Sequence, residues 1–298
     1  MPRPLPLRLG LALVALVVAA LLAGCGVLDT SSGASTATPD DGAASSPGAP
    51  IRSRSADLSP PREPAAAPEV GECRVLSYAD IGRFSNSSST VRCDRPHTGY
   101  TFAVAQLPKD IAFEGVDIGN DAVQDAAAGL CRTAFASYVG GSAATHRLSR
   151  LSSTYFLPGQ TDFDLGARWV RCDAIALQSE RVLADLPGRL EGFNDSDAAL
   201  ADYGLCARGE PGTRDGVLVM CNQKHTFRAL TALRLGAEDA AYPGDNVVAD
   251  GGQQRCDDFI SRTLGLGGGY SYTWTYPSRD DWANGQRFGF CWMKSSAA

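Results

Sequence analysis

Two Cys–His pairs offer the most direct route to chemistry in this chain: Cys93 with His97 and Cys221 with His225, with three residues between them in each case. Thiolate and imidazole both bind zinc, but a structural zinc site takes four ligands. Read instead as nucleophile and base, the pairs need a free thiol of low pKa. Both chemistries require reduced cysteines. The competing reading is a disulfide followed by a histidine that hydrogen-bonds a turn. It is favoured because the nine cysteines divide as one plus four plus four and leave none of the eight spare. Asp162 with Arg168 and Asp281 with Arg287 are a second candidate set. Period-two alternation places each arginine on the same strand face as the cysteine four residues later. A half-buried arginine there needs a partner. We expect a structural Arg–Asp pair across a turn, or alternatively a site for an anionic ligand. His146 has no counterpart elsewhere. The chain has no G-x-S-x-G, no zinc-protease helix and no phosphate-cradling glycine loop. The expectation is a protein that is not an enzyme, with no cofactor and no metal.

The elements that position these residues occur twice. Cys73, Cys93, Cys131 and Cys172 are answered by Cys206, Cys221, Cys256 and Cys291. The pattern P-x₃-D-[FW]-x₂-G-x-R-x₃-C runs from Pro158 through Phe163 and Gly166 to Cys172, and again from Pro277 through Trp282 and Gly285 to Cys291. Each copy begins with a cysteine and a loop, then a strand (100–107 and 226–235). A helix follows. Val123, Ala127, Leu130, Ala134 and Tyr138 mark its apolar stripe in the first copy, with Gly140 ending it. The second helix carries Cys256, Phe259, Ile260 and Thr263 on its face. A hairpin closes each copy: 152–157 with 168–177, and 270–276 with 287–293, around a turn rich in Gly and Asp. The fold class is α+β, as two tandem disulfide-stapled modules, each one helix against a small antiparallel sheet. The modules span 69–183 and 202–298, joined by a polar, solvated linker at 184–201. Four cysteines allow three connectivities per module. First-to-second and third-to-fourth is preferred: Cys73–Cys93, Cys131–Cys172, Cys206–Cys221 and Cys256–Cys291. The aromatic residues Trp169, Phe288, Phe290 and Trp292 alternate with these last cysteines. They read as core rather than as a sugar-stacking platform.

Residues 1–24 read as a secretory signal, with Arg3 and Arg8 ahead of an apolar run from Leu9 to Leu22 that suits export better than a membrane span. Leu22-Ala23-Gly24-Cys25 looks like a bacterial lipobox, which makes Cys25 the expected lipidation site, carrying palmitate or a related acyl chain. Two or three acyl chains anchor a domain stably, at about 0.8 kcal/mol per buried CH₂. Residues 25–68 then form the acylated cysteine and a Ser, Thr, Ala, Gly and Pro-rich disordered tether. The expected location is the extracytoplasmic face of the cell membrane. Export also permits disulfides. A net charge of −6 gives no support to nucleic-acid binding.

With these landmarks in order, the chain resembles the septum formation domain of actinobacterial envelope proteins, over residues 69 to 178 and 202 to 293. The resemblance rests on G-x-C, on the Cys–His turn leading into a strand, on the helical cysteine and on the closing aromatic-Gly-Arg-Cys run. It implies an extracytoplasmic domain with a link to division or envelope biogenesis, and no known chemistry. The expected function is a non-enzymatic, lipid-anchored display of two modules to an unidentified envelope protein or polymer. The alternative is a receptor for a small anionic or glycan ligand between the modules.

Overall fold

The computed structural model describes residues 62–263, 265 and 271–295. The expectations for the signal at 1–24, for Cys25 and for the tether up to residue 61 lie outside them. The first module contains β1 (Cys73–Arg74), β2 (Thr90–Val91), β3 (Gly99–Gln106), α1 (Asp121–Val139), α2 (Ala143–Leu148), β4 (Leu151–Phe156), α3 (Gln160–Asp164), β5 (Trp169–Ser179) and β6 (Val182–Leu183). The helix α4 (Asp197–Asp202) leads into β7 (Leu205–Arg208), β8 (Val217–Met220), β9 (Phe227–Arg234), α5 (Asp245–Thr263), β10 (Tyr272–Thr275), α6 (Arg279–Ala283) and β11 (Phe288–Lys294).

Both sheets are antiparallel. Their strand orders are β2-β1-β3-β5-β4, with β6 added on β5, and β8-β7-β9-β11-β10. Strand for strand these are one topology, so the sequence repeat is a structural repeat. The long helices α1 and α5 have the same length, 19 residues. Each is held by a disulfide to the strand that closes the hairpin of its module, α1 to β5 by Cys131–Cys172 and α5 to β11 by Cys256–Cys291.

α1 starts where the Asn120 side chain accepts a hydrogen bond from the Ala122 N–H, and it ends at Gly140, whose φ of 68° few other residues adopt. Its fully buried positions are Val123, Ala127, Cys131, Phe135 and Val139. The expected stripe through Leu130, Ala134 and Tyr138 is therefore one residue off beyond Ala127. The helix must turn Cys131 toward Cys172, so the cysteine sits at the centre of the buried face and those three residues pack along its flank. Phe102, Val170, Cys172 and Leu157 complete this core. Burying each large apolar side chain contributes roughly 1.5–3 kcal/mol.

Two expectations for the connecting segments change. Residues 184–201 are packed rather than solvated: Leu190 and Ala199 are fully buried. The Leu190 N–H donates to the Tyr138 hydroxyl, and the Gly192 N–H to the Tyr138 carbonyl. Scattered apolar residues at the right spacing outweigh the segment's polar composition. The modules then meet directly. Leu148 of α2 packs on the second sheet, Arg147 stacks over Phe288, and Ser149 bridges to Gly204. Residues 62–68, expected as tether, are bonded to the first module. Asp162 accepts from Arg62 and from the Ala65 N–H, and Trp169 Nε1 donates to the Ala65 carbonyl.

Candidate functional site

All eight cysteines of the modules are paired as preferred, with Cα–Cα distances of 5.3 Å for Cys73–Cys93, 5.2 Å for Cys131–Cys172, 5.0 Å for Cys206–Cys221 and 5.6 Å for Cys256–Cys291. As disulfides, Cys93 and Cys221 are neither nucleophiles nor metal ligands. His97 and His225 are buried and do the same job in each copy. Nδ1 of His97 lies 2.8 Å from the Arg95 carbonyl, and Nδ1 of His225 lies 2.7 Å from that of Gln223. A carbonyl acceptor fixes the proton on Nδ1, so each ring braces the turn two residues upstream.

The expected Arg–Asp pairs are absent. Arg168 donates instead to the carbonyls of Phe163 and Ala167. Arg287 donates to those of Trp282, Gln286, Ala237 and Glu238. Each guanidinium also stacks on the motif aromatic, 4.1 Å from the Phe163 centroid and 4.4 Å from that of Trp282. The reason is the short helix, α3 or α6, that occupies each turn. Its last carbonyls need donors, and an arginine just beyond Gly166 or Gly285 supplies them. The two aspartates do different work, and only Asp281 serves the other helix end. Asp281 and Ser278 form a reciprocal capping box, which holds the Asp281 carboxyl below its usual range. Asp162 holds the segment from Arg62 to Ala65. The repeated motif is thus a device for building one turn twice.

A third group of residues, not anticipated from sequence, differs in kind. On the sheet face away from α1, the first module buries Arg74, Thr101, Arg171 and Asp173, with the half-buried Glu72 at their edge, as one charged cluster. Arg171 is 2% exposed, Asp173 0% and Arg74 5%. Arg74 contacts the Glu72 carboxylate at 2.5 Å, Thr101 Oγ1 at 2.9 Å and the Ser88 carbonyl at 3.2 Å. The Thr101 hydroxyl donates a hydrogen bond to Asp173 Oδ1 at 2.8 Å. Arg171 Nη2 lies 3.0 Å from Asp173 Oδ2 but is not aligned for a hydrogen bond to it, and donates to Asn86. Arg171 Nε is buried and has no partner among the described residues. Burial pushes the Asp173 carboxyl up and holds Arg171 below its usual range. Desolvation offsets the attraction within such a buried pair, so well-packed apolar residues can replace it with little loss of stability.

The register gives the equivalent residues of the second module. Thr101 pairs with Asp173 in the first sheet, and Ala229 with Trp292 in the second. Glu72, Arg74, Thr101, Arg171 and Asp173 therefore correspond to Leu205, Ala207, Ala229, Phe290 and Trp292. This second set is an apolar cluster, against which Leu148 of the first module packs. In the first module the same face is bordered by the loop that Cys73–Cys93 closes and by the segment around Ala65 and Pro68. An open cavity of ~700 Å³ remains there, lined by Arg74, Arg83, Ser85, Ser87, Trp169 and Arg171 among others.

A family model described as septum formation matches residues 70–291. No curated protein and no solved structure matches the chain.

Proposed function

Since this chain belongs to the septum formation family, we propose that it is a non-enzymatic, lipid-anchored protein of the cell envelope that recognises an envelope component through the charged face of its first module. On this reading Cys25 carries the acyl chains, the chain lies on the extracytoplasmic side of the membrane, and recognition serves division or envelope biogenesis. One observation carries the proposal. A single topology is built twice, and the buried charges appear in only one copy. The fold evidently accepts apolar residues at those positions, and buried charges are retained at a cost in desolvation. The second module's equivalent face is apolar: Leu148 of the first module packs on it, and Leu205, Phe290 and Trp292 border a cavity of ~550 Å³. A photo-crosslinking residue at Ser87, on the rim of the cavity, should give a discrete adduct in intact cells. The same residue at Val247, exposed on α5, should not. Identical adducts from both positions would contradict the reading.

A second reading places a small anionic ligand between the modules. A groove of ~680 Å³ there is bordered by Arg132, Arg147 and Arg150. Its support is weaker, because Arg147 is stacked on Phe288 and Arg150 donates to the Leu177 and Ser179 carbonyls. Neither Arg168 nor Arg287 borders it.

A further inference from the structure

The hydrogen-bonding balance of the first module's cavity defines what it can take. Three guanidiniums border it, those of Arg74, Arg83 and Arg171, with two carboxylates, Asp80 and Asp162. Each carboxylate is engaged through one oxygen, Asp80 through Oδ2 and Asp162 through Oδ1. Asp80 accepts from the Ser77 N–H at 2.8 Å and from its hydroxyl at 2.6 Å, and Asp162 accepts from Ala65 and Arg62. Behind the arginines, Glu72 is taken by Arg74, while Asp173 accepts from Thr101 and faces Arg171. The side-chain oxygen of Asn86 accepts from Arg171 and from the Ser88 N–H.

The donors are not committed to the same extent. Arg171 Nε has no partner, and the Arg83 guanidinium and the hydroxyls of Ser85 and Ser87 make no hydrogen bond among the described residues. Arg83 and Ser87 are exposed at the rim. Unpaired donors therefore stand above a floor of buried arginines, with one unpartnered acceptor, Asp173 Oδ2, behind them. These donors select a ligand that brings acceptors. That describes an oxyanion, and guanidinium forks match carboxylate and phosphate oxygens.

We infer that this cavity is an oxyanion site, which binds the carboxylate or phosphate group of an envelope component. The inference deepens the recognition reading above and shares its surface. It needs neither the anchor nor the division role.

The test uses the purified full-length chain in detergent. Trp169 borders the cavity and supplies the signal; Trp169→Phe identifies it against the other tryptophans. Inorganic phosphate and citrate are titrated separately at constant ionic strength set with chloride. The expected result is a saturable change in fluorescence with at least one of them. Arg83→Ala should raise the half-saturating concentration about ten-fold, and Ser87→Ala should raise it by a smaller factor, in keeping with the strength of charge-assisted hydrogen bonds. Both side chains are exposed, so neither change threatens folding. A response to phosphate alone assigns a phosphoryl group, and a response to citrate alone assigns a carboxylate. No saturable response to either anion would overturn the inference, and so would a response that Arg83→Ala leaves unchanged. A specific adduct at Ser87 in cells, without anion binding in vitro, would overturn the oxyanion assignment while leaving the recognition reading standing.

Discussion

Arg171 and Phe290 occupy the same position in the two modules, one residue before the cysteine that staples the long helix to the strand closing the hairpin. Arg171 stacks 4.4 Å from the Phe156 centroid, beside Asp173 and beneath an open cavity. Phe290 packs on the apolar cluster of the second sheet. Duplication supplied two equal faces, and the residues flanking the cysteines decided their roles. Glu72 and Arg74 flank Cys73, and Arg171 and Asp173 flank Cys172. Leu205 and Ala207 flank Cys206, and Phe290 and Trp292 flank Cys291.

The disulfides carry a measurable share of stability. Loops of 41 and 35 residues are closed by Cys131–Cys172 and Cys256–Cys291. In the chain-entropy model each closure contributes about 4 kcal/mol. Cys256→Ala with Cys291→Ala should lower the free energy of unfolding by about 3–4 kcal/mol in denaturant titration. Alkylation without reductant, followed by mass spectrometry, should label none of the eight module cysteines.

Arg287 and Asp281 serve opposite ends of α6 and do not touch, so their contributions should be nearly independent. Arg287→Ala leaves the Glu238 carbonyl without its donor and removes the second donor of the Trp282 carbonyl, and should cost about 2 kcal/mol. Asp281→Ala removes half of a capping box and should cost about 1 kcal/mol. In a double-mutant cycle the coupling should stay below about 0.5 kcal/mol. A coupling of 2 kcal/mol or more, on the order expected of a buried ion pair, would restore the direct Arg–Asp bond.

Acid should act on the same cap. The carboxyls of Asp281 and Asp80 are held below their ordinary value of 3.8, chiefly by hydrogen bonds from the Ser278 and Ser77 side chains. A carboxyl depressed in the folded state contributes stability above its unfolded pKa and loses it as pH falls through the folded one. The deficit of Asp281→Asn relative to the wild type should be complete at neutral pH and should close as pH drops below 3.8. A deficit that is constant across that range would exclude the charged cap.

Much of this architecture was legible in the residues. The repeat of P-x₃-D-[FW]-x₂-G-x-R-x₃-C pointed to two modules, and the matched sets of four cysteines favoured, among three connectivities, the pairing that the structure has. The roles inside the motif were not legible. Alternation places Arg168 on a face but does not reveal that a short helix fills the turn and offers carbonyls to it. The charged cluster was missed for a related reason. The motif drew attention to what the copies share, whereas the informative positions are those where they differ. Comparing the neighbours of each cysteine, Glu-Cys-Arg against Leu-Cys-Ala and Arg-Cys-Asp against Phe-Cys-Trp, would have found it. The packing of residues 184–201 depends on the Tyr138 hydroxyl and the Gly141 N–H, which only the folded chain brings near.

Anchoring is tested by Cys25→Ser. The variant should leave the membrane fraction or accumulate unprocessed, because it cannot be acylated. Unchanged partitioning with membranes would remove lipid anchoring from the account.

The central claim is that the charged face of the first module is kept for recognition and not for folding. Equilibrium unfolding of the double variant Arg171→Met with Asp173→Leu, beside Arg171→Met alone, tests it most directly. The single change leaves Asp173 buried without its counter-charge and should cost about 3–5 kcal/mol. The double change gives this face the apolar character that its counterpart in the second module already has. It should restore stability to within about 1 kcal/mol of the wild type, or exceed it. A double variant as destabilised as the single one would show that the charges hold the module together, and would contradict the account.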